Sequence, residues 1–147
     1  PIGEGEPVIV DMGAVVEGYC SDITRTFVAG RADETFRRVY GLVLDAQLTA
    51  EDGLQPGMSA READSLARDL ISAAGHRDDF GHGTGHGVGL EIHEAPRLSM
   101  RSEDILLPGM VTSVEPGVYL RGWGGVRIED LVLIQDSGAE VLTQAPK

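Results

Sequence analysis

Val8-Ile9-Val10-Asp11-Met12-Gly13-Ala14-Val15-Val16-Glu17-Gly18-Tyr19-Cys20-Ser21-Asp22-Ile23-Thr24-Arg25-Thr26-Phe27-Val28 reads as two β-strands folded back on each other. Val8–Val16 is one strand, Glu17-Gly18 is the turn, and Tyr19–Val28 is a second strand rich in β-branched and aromatic residues. The reversal falls at or just before Glu17-Gly18, so Asp11 and Asp22 are either directly opposite or diagonal. In both registers they share a face. Two carboxylates about 5–8 Å apart on one sheet face repel unless a cation lies between them.

The pattern recurs near the other end of the chain. Val111-Thr112-Ser113-Val114-Glu115 and Val126-Arg127-Ile128-Glu129 flank a glycine-rich reversal, Arg121–Gly125, centred near Gly122. Glu115 and Glu129 then fall across from one another, apart from any bulge the glycines introduce. An acid in an otherwise apolar strand breaks the pattern of a purely structural one. Two hairpins that each present an acid pair look like halves of one binding face. Four carboxylates with one or more histidines can hold two divalent ions roughly 3.5–4 Å apart.

Between the hairpins lies Gly81-His82-Gly83-Thr84-Gly85-His86-Gly87-Val88-Gly89, with His93 just beyond. In an extended conformation His82, Thr84, His86 and Val88 share one face, and the glycines leave the other bare for a close-lying backbone or ligand. With a single cysteine in the chain, the ligand set is oxygen and nitrogen; a structural zinc knot needs more thiolate.

The remaining chain supplies the frame. A helix is expected from about Asp33 to Glu51, with Val39, Leu42, Val43 and Ala46 on one face, ending before Gly53 and Pro56-Gly57. Ser59-Ala60-Arg61-Glu62 is a capping box opening a second helix, closed by Gly75, with Ala63, Leu66, Ala67, Leu70 and Ala74 facing the core. A loop is expected around Pro96, a strand over Met110–Glu115 and another over Val126–Ile134. A hairpin, two helices and then mostly strands make an α+β fold. At 147 residues with no linker, the chain reads as a single domain over 1–147.

Composition narrows the function. The net charge of −12 argues against a nucleic-acid partner, and no apolar run approaches the roughly 20 residues of a membrane span. The lone Cys20 excludes an internal disulfide and suits a reducing, cytoplasmic setting; it reads as a half-buried strand residue, not a nucleophile.

Four motifs, in order, resemble those of the pita-bread metallopeptidases. They are Asp11-Met12-Gly13-Ala14 with Gly18–Phe27, Gly81 through His93-Glu94-Ala95-Pro96-Arg97, Val114-Glu115-Pro116-Gly117, and Gly125-Val126-Arg127-Ile128-Glu129-Asp130. The resemblance runs nearly end to end and is nearest to the bacterial branch of Xaa-Pro aminopeptidases and Xaa-Pro dipeptidases. It implies a creatinase/aminopeptidase-like fold, a curved antiparallel sheet with helices on its outer face. Members carry a further active-site histidine upstream of the first ligand strand. By that analogy the chain is the C-terminal part of a metallopeptidase catalytic domain, N-terminally incomplete.

The resemblance further implies that Asp11, Asp22, His86, Glu115 and Glu129 ligate two divalent ions, manganese or cobalt in this branch, with zinc as the alternative. Asp22 and Glu129 would span both ions. Glu115 would act as general base on water activated by the ions, and His93 and His82 would orient the peptide and stabilise the oxyanion. Arg97 would pair with a substrate carboxylate, and Arg127 would stand behind the ligand carboxylates. The implied partners are a peptide substrate and, as is common in the family, a second copy in a homodimer. The alternatives are another pita-bread hydrolase, such as a methionine aminopeptidase or creatine-type amidinohydrolase, and a non-catalytic peptide-binding module on the same scaffold.

Overall fold

The computed structural model describes residues Pro1–Lys147 throughout. Its first ladder pairs β1 (Pro7–Met12) with β4 (Ile23–Val28), from Pro7 opposite Val28 to Met12 opposite Ile23. The expected long hairpin is not continuous. Val15–Val16 (β2) and Tyr19–Cys20 (β3) form a separate small ladder at the tip, turned by Glu17 and Gly18 at φ 53° and 91°. The interruption sits at Gly13, where a Cβ would lie 2.0 Å from the Ser21 carbonyl oxygen. Asp11 faces Thr24, which makes Asp22 its diagonal neighbour on the same face.

The helix α1 (Glu34–Gly53) starts where the Asp33 carboxylate accepts the Phe36 N–H at 2.6 Å. Next, α2 (Ala60–Ala73) opens on the complete capping box of Ser59 and Glu62. It closes as a Schellman motif, with Gly75 at φ 87° and the His76 N–H bonded to the Ile71 carbonyl. The buried face of α2 is rotated from the expected one. Ala60, Ala63, Ala67 and Ile71 are buried, Leu66 and Leu70 are partly so, and Ala74 is exposed. Asp64 and Arg68 take the vacated positions as a buried ion pair.

An antiparallel five-stranded sheet follows, in the order β11 (Gly138–Val141), β10 (Asp130–Gln135), β7 (Val111–Val114), β5 (Gly85–Gly87), β6 (Glu94–Leu98). The segment around Pro96, expected as a loop, is therefore a strand. Its place at the sheet edge explains the tolerance, because proline's missing N–H removes no ladder bond there. β8 (Gly117–Leu120) and β9 (Gly124–Arg127) form their own hairpin. The expected strand Val126–Ile134 is thus split at Ile128-Glu129, and the expected strand Met110–Glu115 is observed as Val111–Val114, ending just before Glu115.

The core joins Val39, Val43, Ala46 and Ala50 of α1 and the α2 face to Leu98, Val114, Val118, Val126, Ile128, Val132 and Ile134. No helix is long and apolar enough to cross a membrane.

Behind that core lies a buried charged chain. The Gln47 amide donates to Glu51 at 2.8 Å and to Asp130 at 3.0 Å, and Lys147 Nζ reaches both acids at 2.8 Å. Burial, opposed by Lys147 and reinforced by Asp130, pushes the Glu51 carboxyl up to about 7 from an ordinary 4.5. The folded chain then holds a proton that the unfolded chain has released. This contribution to stability is complete below pH 4.5 and is lost as pH rises through about 7. With chelator present, melting temperature is expected to fall between pH 5 and pH 8, and Glu51→Gln is expected to flatten that slope.

Candidate metal centre

The two hairpins meet where the second is interrupted. Val114 pairs with Asp130 on one side of the break and Gly117 with Arg127 on the other, so Glu115 and Glu129 stand opposite each other with no ladder bond between them. Their backbone groups are satisfied from outside. The Glu129 N–H bonds to the Thr24 carbonyl at 3.1 Å and the Glu115 N–H to the Thr84 carbonyl at 2.7 Å. The first hairpin and the histidine strand are stitched into the second at its two acids.

Three side chains converge there. One ligand atom from each of Asp22, His86 and Glu129 lies within 4.8 Å of the other two. His86 Nε2 is 3.1 Å from Glu115 Oε1 and 3.8 Å from Asp22 Oδ2. Its Nδ1 lies 3.0 Å from the Gly87 carbonyl, a bond that turns Nε2 toward the acids. Glu115 is also bonded by the Ser113 hydroxyl at 3.0 Å. Asp11 stands apart from the three, with half its side chain exposed and the Arg127 guanidinium bonded to it.

The electrostatics fit a divalent cation. Glu129 is 2% exposed; its Oε2 accepts the Thr24 hydroxyl, while its Oε1 is buried without a partner. Burial and then the Glu115 charge push its carboxyl up to about 8, with Asp22 and Asp11 adding to the rise. Asp22 is raised too, by burial and by Asp11. His86 moves the other way from a simple buried imidazole. Burial opposes its charge, but its bonds to Glu115 and Gly87 outweigh that, and it is raised. The same contact holds Glu115 below its usual range despite burial. An orphaned buried oxygen among repelling carboxylates, with one imidazole, suits a hard or borderline divalent ion.

A cavity of about 460 Å³ opens over this cluster, lined by His82, His86, His93, Arg97, Glu115 and Arg127 among others. His93 is exposed, and its ring centroid is 4.4 Å from that of His86. Both ring nitrogens of His82 are engaged, Nδ1 with the Gly83 carbonyl at 2.8 Å and Nε2 with the Tyr119 hydroxyl at 2.9 Å. Arg127 donates to that hydroxyl at 3.2 Å and to Thr24 Oγ1 at 3.2 Å. Arg97 lines the cavity from the edge strand β6, its guanidinium free of any ion pair.

Residues 1–136 match the Metallopeptidase family M24. The chain belongs to that family. Among M24 relatives, the Xaa-Pro dipeptidase of Pyrococcus furiosus is 50% identical over 146 residues, which are 99% of this chain and 42% of the relative. The fold superposes on the prolidase from Pyrococcus furiosus with a TM-score of 0.98, at 50% identity over 99% of this chain and 43% of that one. It superposes on the X-Pro aminopeptidase from Thermotoga maritima with a TM-score of 0.94, at 40% identity over 98% and 41%. The architecture is the pita-bread fold, and the chain spans about two-fifths of the length of the curated relatives it matches.

Around the candidate site lie residues that the sequence motifs did not single out. Thr24 and Ser113, bonded to Glu129 and Glu115, sit two positions from an acid on the same strand face, which was the available signal. Asp64 is the least visible. From α2 it accepts the Thr84 N–H at 2.9 Å and hydroxyl at 3.0 Å, while Arg68 bonds the Phe80 and His82 carbonyls. Thr84 is therefore turned to the helix and does not line the cavity with His82 and His86. The glycines also serve a different neighbour from the expected substrate. A Cβ at Gly85 would lie 1.9 Å from the Ser113 carbonyl, and one at Gly87 2.1 Å from that of Ala95. The close approach is made by the flanking strands.

Proposed function

We propose that this M24 chain carries the metal centre of a peptidase that hydrolyses Xaa-Pro bonds. Asp11, Asp22, His86, Glu115 and Glu129 are its ligands for two divalent ions, manganese or cobalt. The observation that carries the reading is the convergence of Asp22, His86 and Glu129, with an unpartnered buried Glu129 oxygen, beneath an open polar cavity. Xaa-Pro dipeptidase and prolidase are the names borne by relatives at 50% identity. Carboxylate and imidazole donors without thiolate favour manganese or cobalt over a structural zinc site. The free thiol of Cys20 suits a reducing compartment and is the basis for proposing the cytoplasm.

Divalent ions bound here supply Lewis acidity, lowering the pKa of water and polarising a carbonyl. The protein supplies the rest. Glu115, held in its charged form by His86 and Ser113, accepts the proton of the attacking water and relays it to the departing imino nitrogen. His93, with no hydrogen-bond partner of its own, donates to the developing oxyanion. His82, with both nitrogens engaged, holds the cavity wall in place beside Tyr119. Arg97 offers its planar fork to the carboxylate of a dipeptide.

Turnover of an Xaa-Pro peptide by the manganese-loaded protein is the direct test; failure on every Xaa-Pro peptide, with manganese and cobalt alike, ends the reading. Arg97→Ala is expected to lower kcat/KM on an Xaa-Pro dipeptide by roughly 10- to 100-fold, the scale of a lost hydrogen bond to a charged group. Longer Xaa-Pro peptides, whose carboxylate lies elsewhere, should lose much less. Equal losses on both would remove Arg97 from carboxylate recognition.

A further inference from the structure

The back of the metal cluster is held by one side chain. Arg25 lies on β4 next to Thr24 and is 6% exposed. Its Nη1 donates to the carbonyls of Thr24 at 2.9 Å and Glu129 at 2.7 Å. Its Nη2 donates to Asp130 Oδ1 at 2.7 Å and the Ala145 carbonyl at 2.8 Å, and its Nε to the Pro146 carbonyl at 2.9 Å. A guanidinium has five N–H groups, and all five are used. Asp130 is in turn fixed through its other oxygen by Gln47 of α1 and by Lys147.

This matters because Glu129 sits in a break. It belongs to neither β9 nor β10, and its only ladder contact is the isolated bridge to Thr24. No backbone N–H reaches its carbonyl; the Arg25 guanidinium is what satisfies it. Arg25 thus grips the carbonyls of the two residues whose side chains, the Thr24 hydroxyl and the Glu129 carboxylate, bond each other on the opposite face.

We propose that Arg25, braced by Asp130, is a positioning residue of the metal centre: by clamping the Thr24 and Glu129 backbones together it sets where the Glu129 carboxylate stands. The proposal rests on Glu129 being a metal ligand. It differs from a merely structural role, in which Arg25 would only neutralise Asp130 and any loss would be one of folding. Lysine keeps the charge but has three donors on a single nitrogen and no fork, so it cannot hold both carbonyls and the carboxylate together.

The test is metal binding, not turnover. The unsubstituted protein, Arg25→Lys and Ile71→Ala, a core truncation on α2 remote from the clamp, are stripped with chelator. Each is titrated with manganese by calorimetry, with bound metal counted after dialysis, and melting temperatures are taken metal-free. Arg25→Lys is expected to weaken manganese binding about 10- to 100-fold, the usual scale for a residue that orients a ligand, and to change the visible spectrum of the cobalt-loaded protein. Ile71→Ala is expected to melt earlier yet bind within about twofold of the unsubstituted protein. Manganese affinity unchanged in Arg25→Lys, or lost in both variants in proportion to their melting temperatures, overturns the proposal. Should Arg25→Lys fail to fold, Asp130→Asn, which weakens the brace while leaving the guanidinium in place, is measured in the same way, and an unchanged affinity there overturns it equally. An unsubstituted protein that binds no manganese overturns instead the ligand reading beneath it, which is a distinguishable result.

Discussion

His86→Ala is expected to lower kcat/KM on an Xaa-Pro peptide at least about 10³-fold, equivalent to about 4 kcal/mol of transition-state stabilisation, and to lower bound metal in step. His86 is the imidazole of the Asp22–His86–Glu129 cluster, and its Nε2 lies 3.1 Å from Glu115 and 3.8 Å from Asp22. Without it the four carboxylates of the proposed ligand set have no imidazole to complete it. Glu115→Ala should cost a similar factor. Glu115→Gln is the sharper substitution, because it keeps an oxygen for the ion but cannot accept the proton. That variant should retain most of its metal and lose turnover. The measurements are elemental analysis alongside steady-state kinetics. Full metal content with full turnover in either His86→Ala or Glu115→Gln would refute the role assigned to that residue.

Removal of metal should reverse the sign of a second substitution. In the loaded protein Glu129→Gln weakens a proposed ligand and is expected to lower the melting temperature. Metal held at 100 times its dissociation constant adds about 2.7 kcal/mol per site, much of which the variant forfeits. In the stripped protein at pH 9 the same change should raise the melting temperature. There the carboxylate is charged in both states, and its pKa, raised to about 8 in the folded state, means that the folded charged form is disfavoured. Each pKa unit corresponds to about 1.4 kcal/mol, so even part of that rise decides the sign. Below pH 4.5 the group is protonated folded and unfolded, and the effect should vanish. Calorimetric scans with and without chelator at pH 9 and pH 4 give all four values. A variant that melts earlier in the stripped protein at pH 9 would show that Glu129 is no burden without an ion.

The acids were legible in the chain because each violates its local pattern. Asp11 and Asp22 flank a hairpin turn, and Glu115 and Glu129 are symmetric about Gly122, whose register continues unshifted from Leu120 opposite Gly124 to Val114 opposite Asp130. Both helices were legible from their caps and periodicity. What local patterning did not reveal depends on contacts made between distant segments. Pro96 forbids an interior strand but not an edge one, and only the sheet order makes β6 an edge. Asp64 and Arg68 fall outside the apolar face expected of α2, and their burial is made tolerable by the Thr84 N–H and the His82 carbonyl of the glycine run.

The residue types, their spacing and the two reversals were thus determined by sequence alone, since side-chain parity along a strand and hydrophobic period along a helix are local properties. Tertiary structure decided which groups meet. It opened the second hairpin at Glu115 and Glu129 and filled the gap with the Thr84 and Thr24 backbones. It turned Thr84 away to Asp64 and closed Arg25 over the back of Glu129. The physical reason is that a buried polar group left without a partner is costly, so most of those buried here are paired with groups from distant segments. At this centre those partners lie up to 121 residues away in the chain, from Arg25 to Pro146.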